Sequence, residues 1–264
     1  MMNNNKNNRV NGIYFEDGGK GGLPVVFIHS LAGNTSQWRA QLAHLRPNRR
    51  AVAIDVRGHG RSAPPADENY TIVSMAEDVK AVVNELGLER VILVGHSMGG
   101  LVAAAYAGRY PGQVAGVLFV DPSGDGRQVP QQEVQGLMGA LASDNYPAVI
   151  EGYWREILEG ATEETKAAVM QDLRQTPKET VLGVMEDLFK YNPVPALERY
   201  GGPRLSVISP FNEMPFSLHN LVHDLPHKLM TEVSHWLQMD KPAEFNQIMD
   251  EFLAQVDYIV NKVI

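Results

Sequence analysis

Gly95-His96-Ser97-Met98-Gly99, with Gly100 behind it, sets a serine between small residues in the pattern G-x-S-x-G. The run Val91–Val94 before it is apolar and β-branched, and the stretch from Leu101 to Tyr110 after it is rich in alanine. The serine therefore falls on a turn from strand to helix. Such a turn is so tight that its flanking positions must be small, and it lifts the hydroxyl above the edge of a sheet. The positive end of the following helix then lies near any negative charge that develops there. The chemistry favoured is attack by the Ser97 oxygen on a carbonyl carbon. A phosphate loop would need G-x-x-x-x-G-K-[ST] or G-x-G-x-x-G, and neither stands here.

A serine needs a base to take its proton, and eight histidines compete for the role. His235, in Ser234-His235-Trp236-Leu237, sits in a loop after the last apolar run and before the final helix, where it can reach back over a sheet. His29 follows an apolar run and shapes the adjacent loop. His44 lies on a helical segment at the surface, and His59 is held in the turn Arg57-Gly58-His59-Gly60. His96 adjoins the serine but points the other way round the turn. His219, His223 and His227 are spaced by four, yet no H-E-x-x-H glutamate accompanies them, and an exposed helix face is the simpler reading. The expected base is His235, and no metal site is expected.

The third member of such a set is a carboxylate that orients the imidazole and stabilises its charged form. For a serine on this kind of turn the chain order is serine, acid, histidine. The expected place is the loop after Arg204–Ile208, which reads Ser209-Pro210-Phe211-Asn212-Glu213-Met214, and its acid is Glu213. The alternative is Asp121, in Val120-Asp121-Pro122-Ser123. Two backbone N–H groups must also meet the oxyanion. One is expected from Met98, the residue after the nucleophile, and the other from Leu31 in His29-Ser30-Leu31-Ala32-Gly33.

The elements that must position these groups follow from periodicity. Val25–Ile28, Ala51–Val56, Val91–Val94 and Val117–Val120 are apolar on both faces, as in parallel strands covered by helices. Helical segments lie between them at Ser36–Leu45, Ile72–Leu86 and Leu101–Tyr110. From Gly124 to Tyr200 no strand-like run occurs. Helical segments around Gln132–Leu141, Pro147–Leu158, Glu163–Leu173 and Lys178–Phe189 stand there instead, more than one crossover needs. Strand character returns at Arg204–Ile208 and Lys228–Met230, and a last helix begins near Pro242. The expected organisation is a polar tail over 1–9, an α/β core over 10–123 and 201–264, and a helical lid over 124–200. The lid residues Leu137, Met138, Tyr146, Tyr153, Trp154, Met185, Leu188 and Phe189 would either line an apolar pocket or pack the lid itself.

Composition narrows the partners. The chain has 264 residues and a net charge of −8, which disfavours non-specific nucleic-acid or anionic-membrane partners. It has no cysteine, which excludes disulfides, thiolate metal sites and a cysteine nucleophile. The polar start Met1–Asn8 is not a signal peptide, no stretch approaches a membrane span, and a cytoplasmic location is expected.

His29-Ser30-Leu31-Ala32-Gly33, Asp55-Val56-Arg57-Gly58-His59-Gly60-Arg61-Ser62, Gly95–Gly100 and His235-Trp236-Leu237-Gln238 together resemble the α/β-hydrolase superfamily, from about Gly22 to Phe252. The resemblance is closest to the compact branch of bacterial esterases, lactonases and cofactor-free perhydrolases. It implies an α/β fold with a mostly parallel central sheet and an inserted helical lid. It also implies an ester hydrolase working through an acyl-enzyme on a small-molecule ester, without cofactor; the sequence leaves both a monomer and a homodimer open. Lactonase, thioesterase, perhydrolase and carbon–carbon hydrolase chemistry use the same residues, and a ligand receptor or scaffold can share the fold. Some members of the wider fold place their acid where Asp121 stands. Ser30 departs from the glycine that many members carry there, and the loop at Glu213 departs from the usual H-G-x-x-D-like pattern. A serine at 97 sets the chain apart from haloalkane dehalogenases and epoxide hydrolases, which use aspartate.

Overall fold

Strands whose successive side chains all avoid water need a layer on each face, and the sheet is built accordingly. The computed structural model describes residues 8–263. Its strands are β1 (Arg9–Val10), β2 (Ile13–Gly18), β3 (Val25–Ile28), β4 (Ala51–Asp55), β5 (Val91–His96), β6 (Val114–Val120), β7 (Arg204–Ile208) and β8 (His227–Leu229). They form one sheet in the order β1-β2-β4-β3-β5-β6-β7-β8. From β4 to β8 along that order every pair is parallel, while β1 and β2 run antiparallel at one edge. The expected α/β fold is borne out. The antiparallel edge was not legible, because β2 alternates buried and half-buried residues instead of running apolar throughout.

Alternate residues of the central strands feed two separate cores, as the two-residue period requires. Val26, Ile28, Leu93 and Phe119 join one core with helices α2 (Ile72–Glu85) and α3 (Met98–Arg109). Val25, Phe27, Ile92 and Leu118 join the other with α1 (Arg39–Leu45) and the C-terminal helix. Between β6 and β7 come α4 (Gln131–Ala142), α5 (Tyr146–Ile157), α6 (Glu163–Gln175), α7 (Lys178–Leu188) and α8 (Val194–Glu198). After β7 follow α9 (Leu218–Leu221), α10 (Leu237–Asp240) and α11 (Pro242–Val263). Phe245, Met249, Phe252 and Val256 of α11 recur on one helical face and are buried, each stabilising the fold by about 1.5–3 kcal/mol relative to exposure.

Parallel strands bring the same end of every strand to one edge. The C-terminal ends of β3, β5 and β6 are neighbours there, and the expected oxyanion loop, nucleophile and alternative acid follow those three strands in turn. Of the expected tail, residues 1–7 lie outside the described residues, whereas Arg9 pairs with Tyr14 in the sheet. Among the described residues no helix is long and apolar enough to cross a membrane.

Candidate active site

Ser97 occupies the turn between β5 and α3 with φ 53° and ψ −117°, a left-handed conformation that costs a non-glycine residue strain. Its neighbours show why the turn must be small. A Cβ at Gly95 would lie 2.2 Å from the Gly99 carbonyl oxygen, and one at Gly99 would lie 2.3 Å from that of Ile28. The turn is tied to the end of β6: Ser97 N donates to Val120 O at 3.0 Å, and Ser123 N donates to Ser97 O at 3.2 Å. The Ser97 hydroxyl lies 3.4 Å from that of Ser123.

His235 stands in the loop between β8 and α10. Asp240 shapes that loop by accepting from Ser234 N at 2.8 Å and from Ser234 Oγ at 2.6 Å. The His235 ring is buried and packs among His96, Trp236 and Phe211. Its Nδ1 lies 2.6 Å from Asp121 Oδ2. Because a carboxylate has no proton to give, the neutral imidazole carries its proton on Nδ1 in this pairing, which is the tautomer with its lone pair on Nε2. His96 supports this loop from behind: its Nε2 donates to the His235 carbonyl at 2.8 Å, and its Nδ1 faces the Gln238 amide at 3.4 Å. Burial holds His96 well below the usual histidine range, so the ring is neutral.

Asp121 directly follows β6 with φ 41° and is fully buried. Burying a carboxylate requires hydrogen-bond donors, and three are present. They are His235 Nδ1, Ser209 N at 2.7 Å to Oδ1, and Ser209 Oγ at 2.8 Å to Oδ2. The expectation of Glu213 at this position is therefore corrected. The chain leaves β7 through Ser209 and a single helical turn, Pro210–Asn212, and the side chain of Glu213 that follows is exposed. The β7 loop contributes Ser209, a donor to the acid, in place of an acid of its own. Sequence gave no sign of Ser209, but Asp121 had one: an acid directly after a strand with no polar residue must have buried partners.

The loop after β3 is held by His29, whose Nδ1 donates to Ser30 O at 2.7 Å and whose Nε2 accepts from Val56 N at 3.1 Å. Burial lowers the His29 imidazole to about 4, so it stays neutral. Ala32 adopts φ 56° at the crest of this loop. Among the described residues, neither the Leu31 nor the Met98 N–H is spent on an acceptor within the protein. The other histidines have separate places. His44 is exposed and pairs with Asp250, and His59 is buried in its turn against Arg57 O. His219 lies in α9 and His227 begins β8, so the three histidines spaced by four do not share a helix face.

A cavity of about 410 Å³ opens over the strand ends. Ser97, His235, Leu31 and Ser123 line it, and helices α4, α5 and α7 supply Leu137, Tyr153, Trp154, Met185 and Leu188, with Phe189 just beyond α7. Of the eight apolar residues singled out between 124 and 200, Met138 and Tyr146 are absent from that lining and pack against the core instead. Phe211, Met214 and Phe216 from the β7 loop complete it.

A family model described as alpha/beta hydrolase fold matches residues 24–242. The dihydrolipoyllysine-residue acetyltransferase component of an acetoin cleaving system from Pseudomonas putida is 35% identical over 127 residues, covering 48% of this chain. The chain spans about a third of that relative's length, 34%. A solved structure described as an N-acyl homoserine lactone degrading enzyme is 27% identical with a TM-score of 0.74, covering 91% of this chain and 96% of that one. An esterase from Exiguobacterium antarcticum is 23% identical with a TM-score of 0.81, over 92% of this chain and 95% of its own, a likeness of fold.

Proposed function

The chain belongs to the alpha/beta hydrolase fold family, and from that premise we propose that it is a serine-dependent carboxylic ester hydrolase working through an acyl-enzyme on Ser97. The observation that carries this reading is the buried Asp121–His235 pair, which leaves the Nε2 lone pair for the cavity that Ser97 lines. In the first step Ser97 gives its proton to Nε2 as its oxygen attacks the ester carbonyl. Asp121 steadies the imidazolium without taking the proton. The unspent N–H groups of Leu31 and Met98 are the donors for the oxyanion. The alcohol then leaves with the proton from His235. Water, deprotonated by His235 in turn, attacks the acyl carbon and restores the Ser97 hydroxyl.

The helices between β6 and β7 act in this reading as a lid over the reacting carbonyl. Their lining is almost wholly apolar, and its one carboxylate is Glu133. That selects a neutral, apolar acyl or alcohol group and disfavours an anionic one. A lactone is a cyclic ester opened by the same two steps, and the neighbour described as degrading N-acyl homoserine lactones puts lactones in the panel to be tried. The test is a series of p-nitrophenyl esters of increasing chain length, assayed beside Ser97→Ala. Turnover by the wild type that the variant lacks is expected, and equal rates for the two would remove the reading.

A further inference from the structure

Helix α6 carries a residue that its own periodicity does not explain. Thr165, Val169 and Leu173 form its buried stripe, and Asp172 sits beside Leu173, three residues on from Val169, where that stripe calls for an apolar side chain. Its carboxylate is spent on the β3 loop. Oδ1 accepts from Asn34 Nδ2 at 2.7 Å, and Oδ2 accepts from Gln37 Nε2 at 3.0 Å. Each amide is oriented by a second partner. Asn34 Oδ1 accepts from Ser36 N at 2.9 Å, and Gln37 Oε1 accepts from Ser30 Oγ at 3.3 Å. A continuous chain of hydrogen bonds thus runs from α6 through Gln37 to Ser30, the residue next to Leu31.

We propose that Asp172 is a positioning residue for the reaction, fixing the Ser30–Gly33 loop through Gln37 so that the Leu31 N–H meets the developing oxyanion. This rests on the ester-hydrolase reading above. Both amides must present N–H to the same side, so the residue between them can only be an acceptor. A carboxylate satisfies two donors at once, whereas an asparagine would turn its own N–H₂ against one of them. Ser30 gains a role here: its hydroxyl is the link between the loop and Gln37. The loop is therefore held from two sides, by His29 at the Ser30 carbonyl and by Gln37 at the Ser30 hydroxyl. The helical segment and the oxyanion loop move as one unit only while Asp172 joins them.

The test compares wild type, Asp172→Ala, Asp172→Leu, Asp172→Glu, Gln37→Ala and the double variant Gln37→Ala/Asp172→Ala on one p-nitrophenyl ester, with Ser97→Ala as background. Loss of a whole oxyanion donor costs about 10²–10³ in kcat, so a displaced donor is expected to cost about 10-fold or more in kcat with KM held within about 2-fold. Residues acting through one chain are not additive, so the double variant should fall no further than the worse single one. Asp172→Glu should recover part of the loss, and Asp172→Leu, which suits the buried stripe, should keep its Tm while staying slow. Unchanged kcat, a loss confined to KM, additive effects in the double variant, or full activity in Asp172→Leu would each overturn the proposal while leaving the hydrolase reading intact. Wild-type turnover equal to that of Ser97→Ala would instead remove both.

Discussion

Two adjacent strands, β6 and β7, end at the same edge of the sheet and do different work there. At the end of β6 the backbone turns through Asp121 in a left-handed conformation, and the carboxylate is buried under three donors. At the end of β7 the backbone stays extended at Ser209 and then makes one helical turn. Its polar side chains there face inward to support its neighbour: Ser209 binds Asp121, and Asn212 Nδ2 donates to the Pro122 carbonyl at 2.8 Å. The acid that follows, Glu213, faces solvent. The difference teaches that chain order alone does not locate an acid. A buried acid is located by the donors that make its burial affordable.

The comparison breaks first at Asp121. Asp121→Asn keeps the volume but lets Nδ1 lose its proton partner, and removing the corresponding charge in a serine–histidine–acid set costs about 10⁴ in kcat. We expect a fall of about 10³-fold or more for Asp121→Asn and less than about 2-fold for Glu213→Gln on the same ester. A crippled Glu213→Gln beside a healthy Asp121→Asn would reverse the assignment of the two strand ends.

Acid unfolding sharpens the contrast from another side. The ends of β3, β4 and β5 carry the fully buried His29, His59 and His96, whereas in the segment after β7 His219 is only half-buried and is lowered by that partial burial. Burial lowers His29 to about 4 and His59 to about 3 from an ordinary value of 6.5. Between those values the unfolded chain binds protons that the folded chain does not, so stability rises with pH across that window. The contribution is complete above pH 6.5 and drains away as pH falls towards 4. Its size is on the order of a few kcal/mol. Urea midpoints measured from pH 7 down to pH 4 check this, and a flat profile would contradict it.

A smaller effect is expected at Ser209. Ser209→Ala removes the hydroxyl bond to Asp121 but keeps the backbone one. A hydrogen bond to a charged group contributes about 1.5–3 kcal/mol, so kcat should drop roughly 10-fold, with most of the Tm retained. No change in kcat would show that the β7 loop is only a neighbour of the site.

The legible and illegible parts of this molecule divide along the same lines. Runs such as Val25–Ile28 and Val91–Val94 announced buried parallel strands because nothing in them could face water. The turn position of Ser97 was legible from the buried strand before it, and the loop position of His235 from its place between the last strand and the final helices. Elimination within one loop favours Glu213, and elimination ignores what lies one strand away. Asp121 carried its signal in Val114–Val120, where an unbroken apolar strand runs straight into an acid. Asp172 carried a similar one, an acid in the apolar phase of α6. Neither partner of these acids, Ser209 nor Gln37, could be found without the fold, because both pairings join residues far apart in the chain.

The most direct test of the central claim is the rate at which a fluorophosphonate modifies wild type, Ser97→Ala, Asp121→Asn and Glu213→Gln, followed by intact mass and peptide mapping. The account predicts a single phosphonyl group on Ser97 in wild type and Glu213→Gln at matching rates, none in Ser97→Ala, and slow modification of Asp121→Asn. Rapid labelling of Asp121→Asn with a protected Glu213→Gln, or a label on any residue other than Ser97, would contradict it.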